Sequence, residues 1–196
     1  MKAKFLILTV AVGACAGTAL LFAQGGMQQP TTLSAMLNQR YTQVKTSITN
    51  AANEMPEENY SFKATPAEMS FGEWVAHVAD TQVRQCSTVN GQVKTVGAAQ
   101  KTTKADIVAA LKTSFDECDA AFGKLTDENA MEAVGTGRGN ASRAGQLAYV
   151  TAHDNECYGS MAVYMRLKGI VPPSTAARGG GMGRGASGGM GRGRGQ

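Results

Sequence analysis

EMSFGEWVAHVADTQVRQCST, Glu68–Thr88, is the stretch whose reading decides the fold. Ser70 followed three residues later by Glu73 forms a capping box, in which each side chain satisfies a backbone N–H that the first helical turn leaves free. A helix therefore starts at Ser70 and runs to about Thr88. Its apolar residues Phe71, Trp74, Val75, Val78 and Val83 recur mainly at spacings of three and four, the period of one buried helical face and not of a strand. His77 stands beside that stripe, one turn beyond Trp74.

Working outward, the same period appears three more times. From about Thr32 to Met55, Leu33, Met36, Leu37, Tyr41, Val44, Ile48 and Ala52 mark one face, and Pro56 ends the segment. Glu57 to Met69 carries Pro66 and no periodicity, which predicts a crossing loop. Thr103 with Asp106 predicts a cap for a third helix built on Ile107, Val108, Leu111, Phe115, Cys118 and Phe122 and ending near Gly123. Glycines from Gly135 to Gly139 separate it from a fourth, about Ala141 to Lys168, closed by Gly169 and Pro172. No stretch alternates apolar and polar residues for long enough to argue for a strand, so the class is all-α.

The two ends have a different character. Residues 1–23 join Lys2 and Lys4 to an apolar run from Phe5 through Phe22, the pattern of a secretory signal cleaved near Ala23. A retained membrane anchor and a lipidated Cys15 are the weaker alternatives, since glycines interrupt the run and apolar residues continue past Cys15. With the signal removed, no integral membrane span is expected, and the mature protein is expected in the periplasm or outside the cell. Residues 24–31 are a linker, residues 32–173 the domain, and residues 174–196 a tail dominated by Gly, Arg and Met that is expected to be disordered. The tail reads either as a solvated extension or as an arm for nucleic acid or acidic polymers.

Charge sharpens this division. The net charge is +4, but Lys2, Lys4, Arg178, Arg184, Arg192 and Arg194 supply six of the positive charges, so the remainder stands at −2. The basic balance therefore belongs to the ends and does not point to nucleic acid as a partner of the domain. Loss of Cys15 with the signal leaves Cys86, Cys118 and Cys157, and an oxidising compartment would pair two of them. Cys86 and Cys118 read either as that bridge or as core residues.

Only two histidines occur, His77 and His153, and both fall within expected helices. His153 and Cys157 stand four apart and so project from one face, where they can chelate a single ion. If the second and fourth helices are neighbours, His77 supplies a third donor, giving a His-His-Cys set with an open position for water or substrate. Asp80, Asp154 and Glu156 flank the histidines and are expected either to orient an imidazole N–H or to lie on a solvated face.

The segments Glu68–Asp80, EMSFGEWVAHVAD, and Ala152–Pro173, AHDNECYGSMAVYMRLKGIVPP, resemble the two signature regions of the DinB-like superfamily, which includes the YfiT-type metal-dependent hydrolases. AANEMPEENYSFKATP, Ala51–Pro66, resembles its first loop. The resemblance implies a single up-down four-helix bundle, often a homodimer, holding nickel or zinc through one histidine of the second helix and a His-x-x-x-His pair of the fourth. His77 and His153 match two of these positions, and Cys157 stands at the third. As a thiolate it would favour zinc; otherwise it is a free buried thiol or a disulfide partner.

Two functions follow as expectations. One is hydrolysis or thiol transfer on a small molecule at a metal held by His77, His153 and Cys157; the other is a non-catalytic exported bundle that binds a small ligand or a partner protein. No Ser-His-Asp set, phosphate-binding glycine loop or paired carboxylates offers another mechanism.

Overall fold

The computed structural model describes residues 30–135 and 141–182, with side chains to 177; the signal segment, most of the linker, most of the glycine stretch and tail residues 183–196 lie outside the described residues. Four long helices carry the fold: α1 Leu33–Glu54, α2 Phe71–Val89, α3 Lys104–Gly123 and α4 Arg143–Leu167. Each begins where a hydroxyl caps it. Thr32, Ser70, Thr103 and Ser142 accept from the backbone N–H groups of Ala35, Glu73, Asp106 and Gly145, and at Ser70 the box closes through the return bond from its own N–H to Glu73 Oε2, 2.6 Å. Helix α4 stops at Gly169, whose φ of +72° lets the chain reverse while the Ile170 N–H reaches the Met165 carbonyl.

Helix directions follow from which residues meet. Tyr41 and Asn53 of α1 meet Asp119 and Lys104 of α3, so these two helices are antiparallel. Gln82 and Cys86 of α2 meet Ser114 and Cys118 of α3, so these two are parallel. Met69 and Gln85, before and within α2, meet Tyr164 and Gln146 of α4, an antiparallel pair. The bundle therefore runs up-down-down-up, with α1 and α2 each packed between α3 and α4. This corrects the simple up-down order expected from the sequence. The reason lies in the link from α2 to α3, which doubles back along α2: Lys94 N–H reaches Ser87 Oγ, and the Ala98 and Ala99 N–H groups reach the Asp80 carboxylate at 2.8 and 2.9 Å. Fourteen residues, 90–103, extend to about 46 Å, ample to retrace a 19-residue helix of about 28 Å.

The core is a continuous apolar cluster from all four helices, including Tyr41, Ile48, Val75, Val78, Leu111, Phe115, Leu147, Val150 and Met161. Tyr41 stacks on Phe122 with ring centroids 4.0 Å apart. Leu33 and Met36 were expected on the buried face of α1 but are exposed, because the stripe meets its neighbours only from Leu37 onward.

Two further differences concern short elements. Ala133–Val134 and Ala141–Ser142 form a two-residue antiparallel ladder on either side of the glycine stretch, where no strand was expected; two residues are too few for a period to be read. Pro173–Met182 forms a fifth helix, α5, over the first residues of the expected tail. It begins on proline, whose fixed φ suits a first helical turn, and is tied down through Ser174 to the Tyr158 hydroxyl and through Thr175 to Arg166, both at 2.9 Å. Among the described residues no helix is long and apolar enough to cross a membrane.

Candidate metal centre

Helix α2 presents His77 to α4, and α4 presents His153 and Cys157 one turn apart on the facing side. Their donor atoms lie within 4.8 Å of one another. His77 Nε2 stands 3.0 Å from His153 Nε2, and Cys157 Sγ stands 3.7 Å from that same nitrogen. The three come from different depths: His77 is exposed, His153 is half-buried and Cys157 is 2 % exposed. The cluster is open toward solvent at its His77 end and closed at the sulfur.

Aromatic rings flank the imidazoles. Trp74 meets His77 edge-on at 6.2 Å, and Tyr149 stacks along His153 at 6.3 Å. Tyr149 was not singled out from the sequence, although its spacing of four from His153 carries the signal.

Two lone-pair nitrogens 3.0 Å apart need a proton or a cation between them. Burial, then the charge of His153, lowers the affinity of His77 for a proton. Asp154, then Cys157, raises that of His153 well above the ordinary imidazole range. Without an ion the shared proton therefore belongs to His153. Asp154 itself is held up to about 6 by burial, with His153 pulling the other way. Its Oδ1 lies 3.5 Å from His153 Nδ1, an ion-pair distance longer than a hydrogen bond.

The donors suit a borderline or soft divalent ion. Tetrahedral zinc with nitrogen near 2.05 Å and sulfur near 2.3 Å places nitrogen pairs about 3.3 Å apart and nitrogen–sulfur pairs about 3.6 Å apart. The His77–His153 and His153–Cys157 separations of 3.0 and 3.7 Å lie close to these, and the third pair, His77 to Cys157, lies within 4.8 Å.

The other cysteines are elsewhere. Cys86 and Cys118 are bonded to each other across α2 and α3, with sulfurs 1.96 Å apart, which leaves Cys157 as a free buried thiol. Asp80 orients no imidazole; its two oxygens are taken by Ala98 and Ala99. Glu156 is exposed. A cleft of about 600 Å³ adjoins His77, lined by Tyr60, Met69, Ala76, Ile107, Lys63 and Lys101 among others.

Comparison with known proteins adds a lineage to this geometry. The sequence profile described as the DinB superfamily matches residues 40–159. Among solved structures, a DinB-like protein from Bacillus cereus is similar at 19% identity and a TM-score of 0.59, over 70% of this chain and 94% of its own. A DinB-like protein from Bacillus subtilis is similar at 18% identity and a TM-score of 0.56, over 69% and 92%. No match is found among curated proteins.

Proposed function

Because this chain belongs to the DinB superfamily, we propose that it is an exported metal-binding bundle in which His77, His153 and Cys157 hold a divalent cation and the adjoining cleft admits a small molecule for hydrolysis or thiol transfer. The observation that carries the reading is the convergence of two imidazoles and a thiol from two helices within 4.8 Å. Sulfur among the donors favours zinc over harder ions, with nickel as the other candidate. A divalent ion in such a three-donor site supplies Lewis acidity and makes a water or thiol that reaches it a stronger nucleophile at neutral pH.

The chain's own residues do the rest. His77, at the open end, stands between the ion site and the cleft and so is the donor nearest an incoming ligand. Tyr60, Met69, Ala76 and Ile107 give the cleft an apolar floor, and Lys63 and Lys101 stand where the negative end of a ligand would be attracted. Export is supported by the Cys86–Cys118 bridge, which persists in oxidising compartments, and by the signal-like first 23 residues.

A second reading rests on one observation. Both carboxylates lining the cleft are already engaged, Glu73 in the Ser70 cap and Asp80 on the backbone of Ala98 and Ala99, so among the described lining residues no free carboxylate stands ready as a general base. That favours an exported bundle that binds a small ligand or partner without turning it over.

Metal content by mass spectrometry, on mature protein recovered from an oxidising compartment without a metal-binding tag, tests the site. Near-stoichiometric zinc or nickel that is lost in His77→Ala and in Cys157→Ala is the expected result. No metal above background, even after reconstitution with either ion, would leave the second reading.

A further inference from the structure

Asp154 is the residue of this bundle whose position is hardest to explain by folding alone. It lies on the core line of α4 with Leu147, Val150, Thr151 and Met161, is 0 % exposed, and neither carboxylate oxygen has a hydrogen-bond partner among the described residues. A carboxylate so placed opposes folding, and a well-packed apolar or amide replacement would ordinarily be neutral or stabilising. Donors near it are spent elsewhere: Tyr41 gives its hydroxyl to Asp119 and Thr151, one turn before on α4, gives its own to the Leu147 carbonyl. Among the described residues, the one group with which Asp154 makes an ion-pair contact is His153, through Nδ1 at 3.5 Å. The other nitrogen, Nε2, is turned to His77, and Cys157 Sγ lies along the ring, 3.7 Å from Nε2 and 3.9 Å from Nδ1.

Resting on the metal reading above, the geometry points to Asp154 as the positioning residue of the ion site: it holds the proton of His153 on Nδ1, so that the Nε2 lone pair is free for the ion, and it is the buried counter-charge of the filled site. The charges balance. A divalent cation with two neutral imidazoles and one thiolate carries +1, and Asp154 brings the buried set to zero. Carboxylates that hold the far nitrogen of a metal-ligating histidine in this way fix its tautomer and strengthen it as a ligand. The buried carboxylate, which makes no hydrogen bond among the described residues, is thus retained for the ion and weakens the empty protein.

The test compares the full mature chain with Asp154→Asn, which keeps the shape and removes the charge, and with Asp154→Leu as a second route of similar volume. Cobalt(II) affinity, the thiolate-to-cobalt charge-transfer band and the urea midpoint of the metal-free protein are read together. The expected result is a roughly 10- to 100-fold weaker affinity, with the thiolate band kept at saturation and a metal-free midpoint that does not fall. Unchanged affinity overturns the assignment, and so does a loss of affinity that comes with loss of the band or with a lower metal-free midpoint, since a merely structural residue would produce those. Failure of both variants to fold overturns it too. A parent protein that binds no cobalt, zinc or nickel overturns the metal reading beneath it as well, whereas unchanged binding in the variants overturns only the role of Asp154.

Discussion

Helix α2 has two seams, and they are built to opposite rules. Against α3 it is sealed: Cys86 is bonded to Cys118, Gln82 to Ser114, Asn90 to the Glu117 carboxylate and backbone, and Asp80 closes the link between the helices. Against α4, at the height of His77, it meets a second imidazole and a free thiol, next to which α4 carries a buried carboxylate with no hydrogen bond among the described residues. Cysteine appears in both seams with different fates. The difference teaches that α2 is anchored on one side so that its other side can present unsatisfied donors without the helix shifting to satisfy them.

The largest expected effect comes from opening the sealed seam. The bridge closes a sequence separation of 32 residues, for which chain entropy gives about 3.7 kcal/mol. Replacing both Cys86 and Cys118 by Ala should lower the unfolding free energy by about 3–4 kcal/mol in urea titrations, while metal content at temperatures where the bundle stays folded should not change. Loss of metal from the folded double variant would show that the seams are not independent.

Next come the donors themselves. Structural zinc sites bind with about 10–16 kcal/mol over four ligands, roughly 3 kcal/mol for each, so His77→Ala should weaken zinc binding about a hundredfold or more in competition with a chelator. Because His77 is exposed, its loss should leave the metal-free urea midpoint almost unmoved. The pH dependence has a definite sign. His153 is raised well above the ordinary imidazole range without an ion, so binding must displace its proton, and zinc affinity should rise between pH 6 and 8. Affinity that is flat across that window would remove His153 from the donor set.

Replacing Cys157 sharpens the contrast between the two fates of cysteine. Cys157→His recreates the His-x-x-x-His spacing implied by the resemblance. It should abolish the thiolate band of the cobalt form and shift the zinc-to-nickel preference toward nickel. The added volume at a site 2 % exposed should cost about 1–3 kcal/mol of stability. A retained thiolate band would mean that the sulfur bound to cobalt is not Cys157.

How much of this was legible in the sequence divides along the same line. The four helices were, because the caps at Ser70 and Thr103 and a period of 3.6 are local signals, whereas the caps at Thr32 and Ser142 emerged only with the structure. The direction of α3 was not: a 14-residue link is long enough to turn back or to retrace α2, and the Asp80 contacts that make it retrace span 18 and 19 residues. Helix α5 was hidden by a composition poor in apolar residues, since it is tied to α4 by polar bonds, two between Tyr158 and Ser174 and one from Arg166 to Thr175. His153 and Cys157 were legible as a pair through their spacing, but His77 joins them only through the α2–α4 packing. Asp154 was read beside His153 as a group to orient an imidazole or to lie on a solvated face; its place on the buried line, seven before Met161 and four after Val150, was the part of the signal left unread. General expectation places an aspartate on the surface, and here the site overrides it.

The smallest effect belongs to the end of α2 that both seams share. Ser70 Oγ accepts from the Glu73 N–H at 3.2 Å, and Ser70→Ala removes that half of the capping box at a residue that is already buried. The expected loss is about 1 kcal/mol, read as a lower urea midpoint. His77 sits two turns inside the helix, where Val75 and Val78 on either side are completely buried, so the packing that sets its height against His153 is untouched by the cap. Zinc affinity should therefore stay within about twofold of the parent, since a fraying turn releases its strain at the terminus before it reaches the core. If affinity instead falls together with the midpoint, the position of His77 depends on the helix end, and the sealed seam with α3 is not what holds the open seam in register.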